Sequence, residues 1–220
     1  MKWRASQGQK PASGNTVVER PLCPLLYEPG TSWEYSPSID WVGLMVERVN
    51  NGMSLGSYMN ANVWRPLGIK DITFHLAQRE DLRQRMADMS LRDPSGSGKA
   101  IYTSLQSMPD SMKDDTGGGG AFGNAPEYMK ILHSLLANDE KLLQKETVDD
   151  LFKPQLTELS RQALMSDPEL NLMLGGTEKD WGLGGVLLLE DLPNWRKKYS
   201  MSWGGMPNLS WVFHSAAILV

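Results

Sequence analysis

The sequence predicts an α+β fold, with helices gathered in its first two thirds and antiparallel strands at its end. Three observations carry that expectation. Apolar residues recur at helical spacing at Ile39, Val42, Met45, Val46 and Val49, and again at Tyr128, Ile131, Leu132, Leu135 and Leu136. From Trp181 onward the pattern changes to short β-rich runs separated by Pro, Asn and Gly. Helices therefore come first and strands last, the order expected when the two kinds of element segregate rather than alternate.

A chain of 220 residues is one large domain or two small ones and can bury a sizeable core. The element order divides residues 1–220 into a helical lobe at about 37–153 and sheet strands at about 181–220. A net charge of −4 without a basic block argues against nucleic acid or a polybasic membrane contact. No apolar run is long enough to span a bilayer, and Met1 to Gln7 lacks the apolar core of a secretory signal. Cys23 is the single cysteine, so no internal disulfide forms and a reducing, cytoplasmic setting fits. Without a secretory signal, the Asn208-Leu209-Ser210 sequon is discounted. The 13 Met and eight Trp suit adaptable core packing, and the same residues would line a large apolar pocket.

Taken in order, Gln7 to Asn15 is polar with Gly and Pro and reads as a surface loop, and Pro21 to Tyr27 is an apolar approach to a turn at Pro29-Gly30. Ser36 is the expected N-cap of the next helix, with Pro37 at its first position. The periodic residues from Ile39 to Val49 are expected to face the core, and Asn50-Asn51-Gly52 stops the helix. Ser54 caps a short second helix bearing Leu55, Met59 and Val63, which ends before Pro66. Ile72-Thr73-Phe74 reads as a brief strand, Glu80 to Met86 as helical, and Arg92 to Lys99 and Ser104 to Thr116 as irregular. Ala125-Pro126 opens a helix running through Ala137, and Glu146 to Phe152 forms another, ended by Pro154. Gly182 to Glu190, Tyr199 to Trp203 and Asn208 to Phe213 read as neighbouring antiparallel strands.

Several motifs have the right letters in the wrong setting. Gly118-x-Gly120-x-x-Gly123 matches a dinucleotide fingerprint, but Met112-Lys113-Asp114-Asp115-Thr116 precedes it where a buried strand is required. Asp115-Thr116-Gly117 has no second copy to share a proton, as aspartic-protease chemistry demands. His75, His133 and His214 lie far apart, with no second ligand at i+3 or i+4, which argues against a metal site. His133, on a helix, reads as a surface or packing histidine. The glycine run Gly117 to Gly120 is either a flexible linker or a place where one backbone passes close to another surface. Tyr35, on a short loop just before a helix, either seals the helix end or presents its phenol to a ligand; the stretch alone favours sealing.

Three stretches together shift that balance. Glu28-Pro-Gly-Thr-Ser-Trp-Glu-Tyr35-Ser-Pro, then Gly117-Gly-Gly-Gly-Ala-Phe-Gly-Asn-Ala-Pro-Glu-Tyr128, then Ser202-Trp203-Gly204-Gly205 with Asn208-Leu-Ser-Trp211 follow one another in this order. In that order they resemble the β-lactamase-related serine hydrolases, the family of class C β-lactamases, penicillin-binding proteins and esterases. Within it they are most similar to the fungal acyltransferase of lovastatin biosynthesis. The likeness runs from near the N-terminus to Phe213. It implies a partial version of that family's fold, an antiparallel sheet packed by helices beside a mainly helical lobe, lacking the N-terminal strands and the Ser-x-x-Lys helix.

The resemblance also implies acyl transfer through an acyl-enzyme, with no metal and no cofactor. Tyr35 matches the family's proton-relaying tyrosine, although Pro37 stands where the family's Tyr-x-Asn box has its amide. Trp203-Gly204-Gly205 matches the substrate-binding box that reads Lys-Thr-Gly in β-lactamases, and the backbone N–H of Met206 would be an oxyanion donor. An indole at 203 cannot hold a carboxylate as a lysine does, but it packs flat or aliphatic groups. The implied partners are a hydrophobic small-molecule alcohol, such as a polyketide, and an acyl thioester, free or on a carrier protein. A plain carboxylesterase, with water as acceptor, is the competing reading within the family.

No Ser or Thr of the sequence has Lys three places on. The resemblance places that motif upstream of Met1, and further elements beyond Phe213, so a truncated or mis-spliced product is expected. Its open sheet edges and apolar tail, Ala216 to Val220, would favour aggregation. The reading from a different class is a non-catalytic remnant.

Overall fold

Short polar residues set most of the helix ends in the computed structural model, which describes residues 2–8, 10, 14–20, 24–103, 112–205 and 208–214. After α1 (Lys2–Ser6), the chain makes the expected turn at Pro29-Gly30. Thr31 N–H donates to the Glu28 carbonyl at 3.1 Å, and Gly30 takes the positive φ of 84° that the turn requires. Helix α2 (Ser38–Val49) begins one residue later than expected: Pro37 is its cap, and the Ser36 hydroxyl meets the Ser38 hydroxyl instead of a backbone N–H. It stops as read, with Asn51 and Gly52 at φ 58° and 78°.

Ser54 caps α3 (Leu55–Met59) by accepting from Ser57 N–H, and a turn of π-helix over Asn60–Trp64 carries the chain to Pro66. The strand expected at Ile72-Thr73-Phe74 is reduced to a single bridge, Thr73 to Phe122. A 3₁₀ turn (Leu76–Gln78) leads into α4 (Glu80–Arg83). An antiparallel hairpin then follows that periodicity does not predict: β1 (Met89–Arg92) pairs with β2 (Ala100–Thr103), with the anticipated Arg92–Lys99 loop as its turn.

Asn124 caps α5 (Ala125–Ala137), and α6 (Lys145–Leu151) ends before Pro154. Two further helices, α7 (Glu158–Met165) and α8 (Pro168–Leu174), are capped by Thr157 and Asp167. The main sheet has the order β3 (Lys179–Trp181), β4 (Val186–Leu188), β5 (Ser200–Gly205), β6 (Leu209–His214), all antiparallel. Of the expected Gly182 to Glu190 strand only Val186–Leu188 forms β4, because Gly182 to Gly185 turn the chain from β3, a strand the sequence pattern does not predict.

Successive residues of β4 point to opposite faces, as a pleated strand requires. Leu187 packs with Met201, Phe213 and Leu132 of α5, while Val186 and Leu188 pack with Leu174 of α8 and with Trp181 and Trp203. Sheet and helices thus make two apolar layers around one strand. Of the expected inward residues of α5, Leu132 is buried, but Tyr128 is 39% exposed. His133 is exposed, as a surface histidine. Helix α2 departs most from expectation, since its apolar stripe faces solvent. Among the described residues, no helix is long and apolar enough to cross a membrane.

Candidate active site

Tyr35 and Trp203, 168 positions apart in sequence, lie ring to ring with centroids 5.2 Å apart at 45°. The contact belongs to a longer row. Trp203 meets Trp181 of β3 edge-on at 4.8 Å, and Trp181 meets Trp33 at 5.3 Å. Such tilted and edge-on pairs exploit the ring quadrupole and stabilise by about 0.5–1.5 kcal/mol beyond area burial. The expectation that Tyr35 only seals a helix end is not what the geometry shows. Its ring is 62% exposed, supported from one side by Trp203.

The loop that carries Tyr35 is anchored by α7, a helix the sequence reading did not assign. Ser160 Oγ lies 3.1 Å from both the Gly30 and Ser32 carbonyls, and Thr157 Oγ1 lies 3.2 Å from that of Gly30. Ser160 itself is buried beneath the loop. A Thr followed by an acid in the first turn, Thr157-Glu158, is the signal that would have placed this helix start. Ser160→Ala is expected to cost about 1 kcal/mol, since the buried hydroxyl that holds the Gly30 and Ser32 carbonyls is lost while Thr157 Oγ1 still reaches Gly30. Urea unfolding checks it: the midpoint should fall with an unchanged m-value.

The glycine run is a place of close approach, not a linker. A Cβ on Gly117 would sit 2.9 Å from the Ile39 carbonyl, and one on Gly118 would sit 2.9 Å from Asp40 Oδ1. Gly118 N–H donates to Asp40 Oδ1 at 2.7 Å. The loop therefore rests on the first turn of α2, directly after Tyr35. Burial pushes the Asp40 carboxyl above its ordinary value, and the Gly118 N–H opposes that. A carboxyl whose folded pKa is raised favours folding as pH falls, since the charged form is the one burial penalises. Asp40→Asn keeps the acceptor and removes the charge. It is expected to raise stability at neutral pH, with the gain shrinking as pH falls into the carboxylate range; thermal unfolding across pH checks this.

Trp203-Gly204-Gly205 forms the end of β5, with Trp203 opposite Trp211 and Gly204 opposite Ser210. A Cβ on Gly204 would stand a tight 3.0 Å from the Leu209 carbonyl, so the bare backbone lets β5 and β6 close without a shift. Met206, the expected oxyanion donor, lies outside the described residues, as do Cys23 and the Ala216–Val220 tail. One pairing escaped sequence reading because its partners are 40 positions apart: His75 Nε2 lies 2.8 Å from Asp115 Oδ1, while Asp115 Oδ2 accepts from Gly56 N–H at 2.7 Å. His75 lines a cleft of about 320 Å³ together with Thr116, Gly120 and Phe122. Neither Tyr35 nor Trp203 lines that cleft.

A tyrosine on a clamped turn, a glycine loop against the next helix and a Trp-Gly-Gly strand end are held on one scaffold of antiparallel sheet and helices. The chain belongs to the beta-lactamase family, whose model matches residues 22–215. It is 37% identical over 218 residues to a lovastatin esterase of Penicillium rubens, covering 96% of this chain and 54% of the esterase. It is 40% identical over 206 residues to the monacolin J acid methylbutanoyltransferase of Aspergillus terreus, covering 89% and 49% of the two chains. A solved mutant of the simvastatin synthase of Aspergillus terreus superposes with a TM-score of 0.80 at 41% identity, covering 88% of this chain and 50% of that one. The chain spans about half the length of the curated relatives it matches.

Proposed function

We propose that the chain contributes the tyrosine and substrate-strand portion of an acyltransferase or esterase of secondary, polyketide metabolism. The reaction passes an acyl group from a thioester or ester to an alcohol or water through an acyl-enzyme. The observation that carries the reading is the Tyr35–Trp203 contact. It brings a family proton-relay position against the proposed substrate-binding strand, in a chain similar to both an esterase and an acyltransferase.

Tyr35 moves the proton between nucleophile and leaving group. Trp203 packs a neutral acyl group or an apolar acceptor, Gly204 and Gly205 let substrate run along the strand, and Met206 donates its backbone N–H to the oxyanion. The donor is an acyl thioester, small or held on a carrier protein. The lone Cys23 supports a reducing, cytoplasmic setting.

The test is turnover of p-nitrophenyl butyrate with and without an added apolar alcohol. Ester product that grows with alcohol supports transfer, whereas butyrate alone supports an esterase. Nitrocefin hydrolysis far faster than thioester cleavage would overturn the neutral-substrate reading. A non-catalytic, ligand-binding role is the second reading, favoured by the sequence having no Ser or Thr followed by Lys three places on. Labelling of any serine by a fluorophosphonate would count against it.

A further inference from the structure

Arg196, Lys197 and Lys198 are the longest run of basic residues in a chain of net charge −4. They lie in the connection between β4 and β5, flanked by Trp195 and Tyr199, whose side chains are 60% and 44% exposed. Each ring carries a cation on one side. The Arg196 guanidinium carbon lies 4.1 Å from the Trp195 centroid, and Lys198 Nζ lies 4.9 Å from that of Tyr199. Lys197 is paired with Asp191 at 2.7 Å, but among the described residues no carboxylate pairs with Arg196 or Lys198.

The loop is tightly tied. Leu192 and Arg196 exchange backbone bonds of 2.7 and 3.0 Å, and Tyr199 N–H donates to the Leu188 carbonyl at 2.8 Å. Tyr199 holds φ at 66°, a costly conformation for a bulky residue. The loop also adjoins the candidate site. Arg196 Nη1 donates to Ser202 Oγ at 2.7 Å, one residue before Trp203, and Leu192 packs on the apolar layer that Trp181 and Trp203 also cover.

Cations alone would attract any anion. Cations set beside open aromatic faces fit an anion that also carries a flat ring, which is the chemistry of a nucleotide. We propose that this loop seats the nucleotide end of a coenzyme A thioester, with the purine on Trp195 and the phosphates on Lys198 and Arg196. The choice of donor rests on the acyl-transfer reading above. At about 3.3 Å per residue, β5 places Gly205 about 17 Å beyond Ser200, a span that an extended pantetheine arm covers. The thioester would then reach the Trp203-Gly204-Gly205 end of the strand that the loop begins.

Titration of this chain with free coenzyme A, read by isothermal calorimetry, tests the proposal. One molecule is expected to bind per chain, more weakly as salt rises. Lys198→Glu and Trp195→Ala are each expected to weaken binding by about tenfold or more, the first by reversing a charge at the phosphates and the second by removing a stacking face. Lys141→Glu, in the exposed link between α5 and α6, is the control and should leave binding unchanged. Pantetheine, which has the arm without phosphates or purine, should bind at least about tenfold more weakly than coenzyme A. All three variants replace solvent-facing side chains, so an unchanged far-ultraviolet circular dichroism spectrum confirms that the fold is intact.

No binding, binding indifferent to Lys198→Glu and Trp195→Ala, or equal binding of pantetheine overturns the proposal. So does binding of a phosphopantetheine-bearing carrier protein in place of free coenzyme A, which would make the partner a protein surface. Binding is read without turnover. A chain that binds coenzyme A as expected but cleaves no thioester keeps the seat and loses the acyl-transfer reading. One that cleaves thioesters yet binds no coenzyme A keeps that reading and loses the seat.

Discussion

Tyr35→Phe is expected to lower kcat for ester cleavage by about 10²–10⁴-fold, the usual contribution of a positioned general acid or base. This applies to any preparation of the chain that turns over p-nitrophenyl butyrate. The substitution deletes one oxygen and keeps the ring, so the stack on Trp203 survives and KM should change little. A free phenol titrates near ~10 and is a weak base at neutral pH. The proposed role therefore needs a cation beside it to favour the phenolate. Tyr35 is 62% exposed, which leaves room for one. Stopped-flow and steady-state assays of the two proteins decide the matter. Activity retained within a few-fold would remove Tyr35 from the chemistry and leave it a packing residue.

The largest expected effect on stability lies at Asp180. Its carboxylate is buried at 2% exposure, and Oδ1 alone accepts from three backbone N–H groups: Gln155 at 3.0 Å, Leu156 at 3.1 Å and Trp181 at 2.7 Å. These bonds tie the lead-in to α7 against β3. They thereby link the helix that clamps the Tyr35 loop to the strand that carries the middle ring of the aromatic row. Asp180→Ala is expected to cost about 3 kcal/mol, because the partly buried Leu156 and Trp181 N–H groups lose their acceptor, while Gln155 N–H keeps the Trp181 carbonyl. Asp180→Asn keeps one acceptor oxygen and should lose less. Urea midpoints of the three proteins give the order, and an Ala variant as stable as the Asn variant would contradict it.

Much of the chain was legible where one residue type has one physical use. Pro29-Gly30 needed a positive φ at Gly30 and has it. Asn50-Asn51-Gly52, Ser54 and Pro126 mark helix boundaries that the structure respects. Periodicity failed in two instructive ways. In α2 it identified which residues share a face but not which face packs, and Asp40 and Glu47 won the interior because Gly118 and Leu55 offered them N–H donors. Helices α7 and α8 were missed because Leu159 and Leu172 are 60% and 89% exposed and blur the stripe that marks a buried face. The β1–β2 hairpin is mostly exposed on both strands and had no alternation to show.

The candidate site was legible differently. No local pattern pairs residue 35 with residue 203; only the order of three motifs did. The clamp from Ser160 and the close approach of His75 to Asp115 stayed hidden because contacts across such separations leave no trace in spacing.

Trp33, Trp181 and Trp203 sit at successive centroid separations of 5.3 and 4.8 Å. Indoles this close share their electronic excitations, and tilted ones do so with a handed sense. The row therefore gives the protein an intrinsic optical signature, an exciton couplet in its ultraviolet dichroism. The Trp181–Trp203 pair requires β3 and β5 to be in register, and the Trp33–Trp181 pair adds the loop that carries Tyr35, so the couplet reports on that neighbourhood without any label.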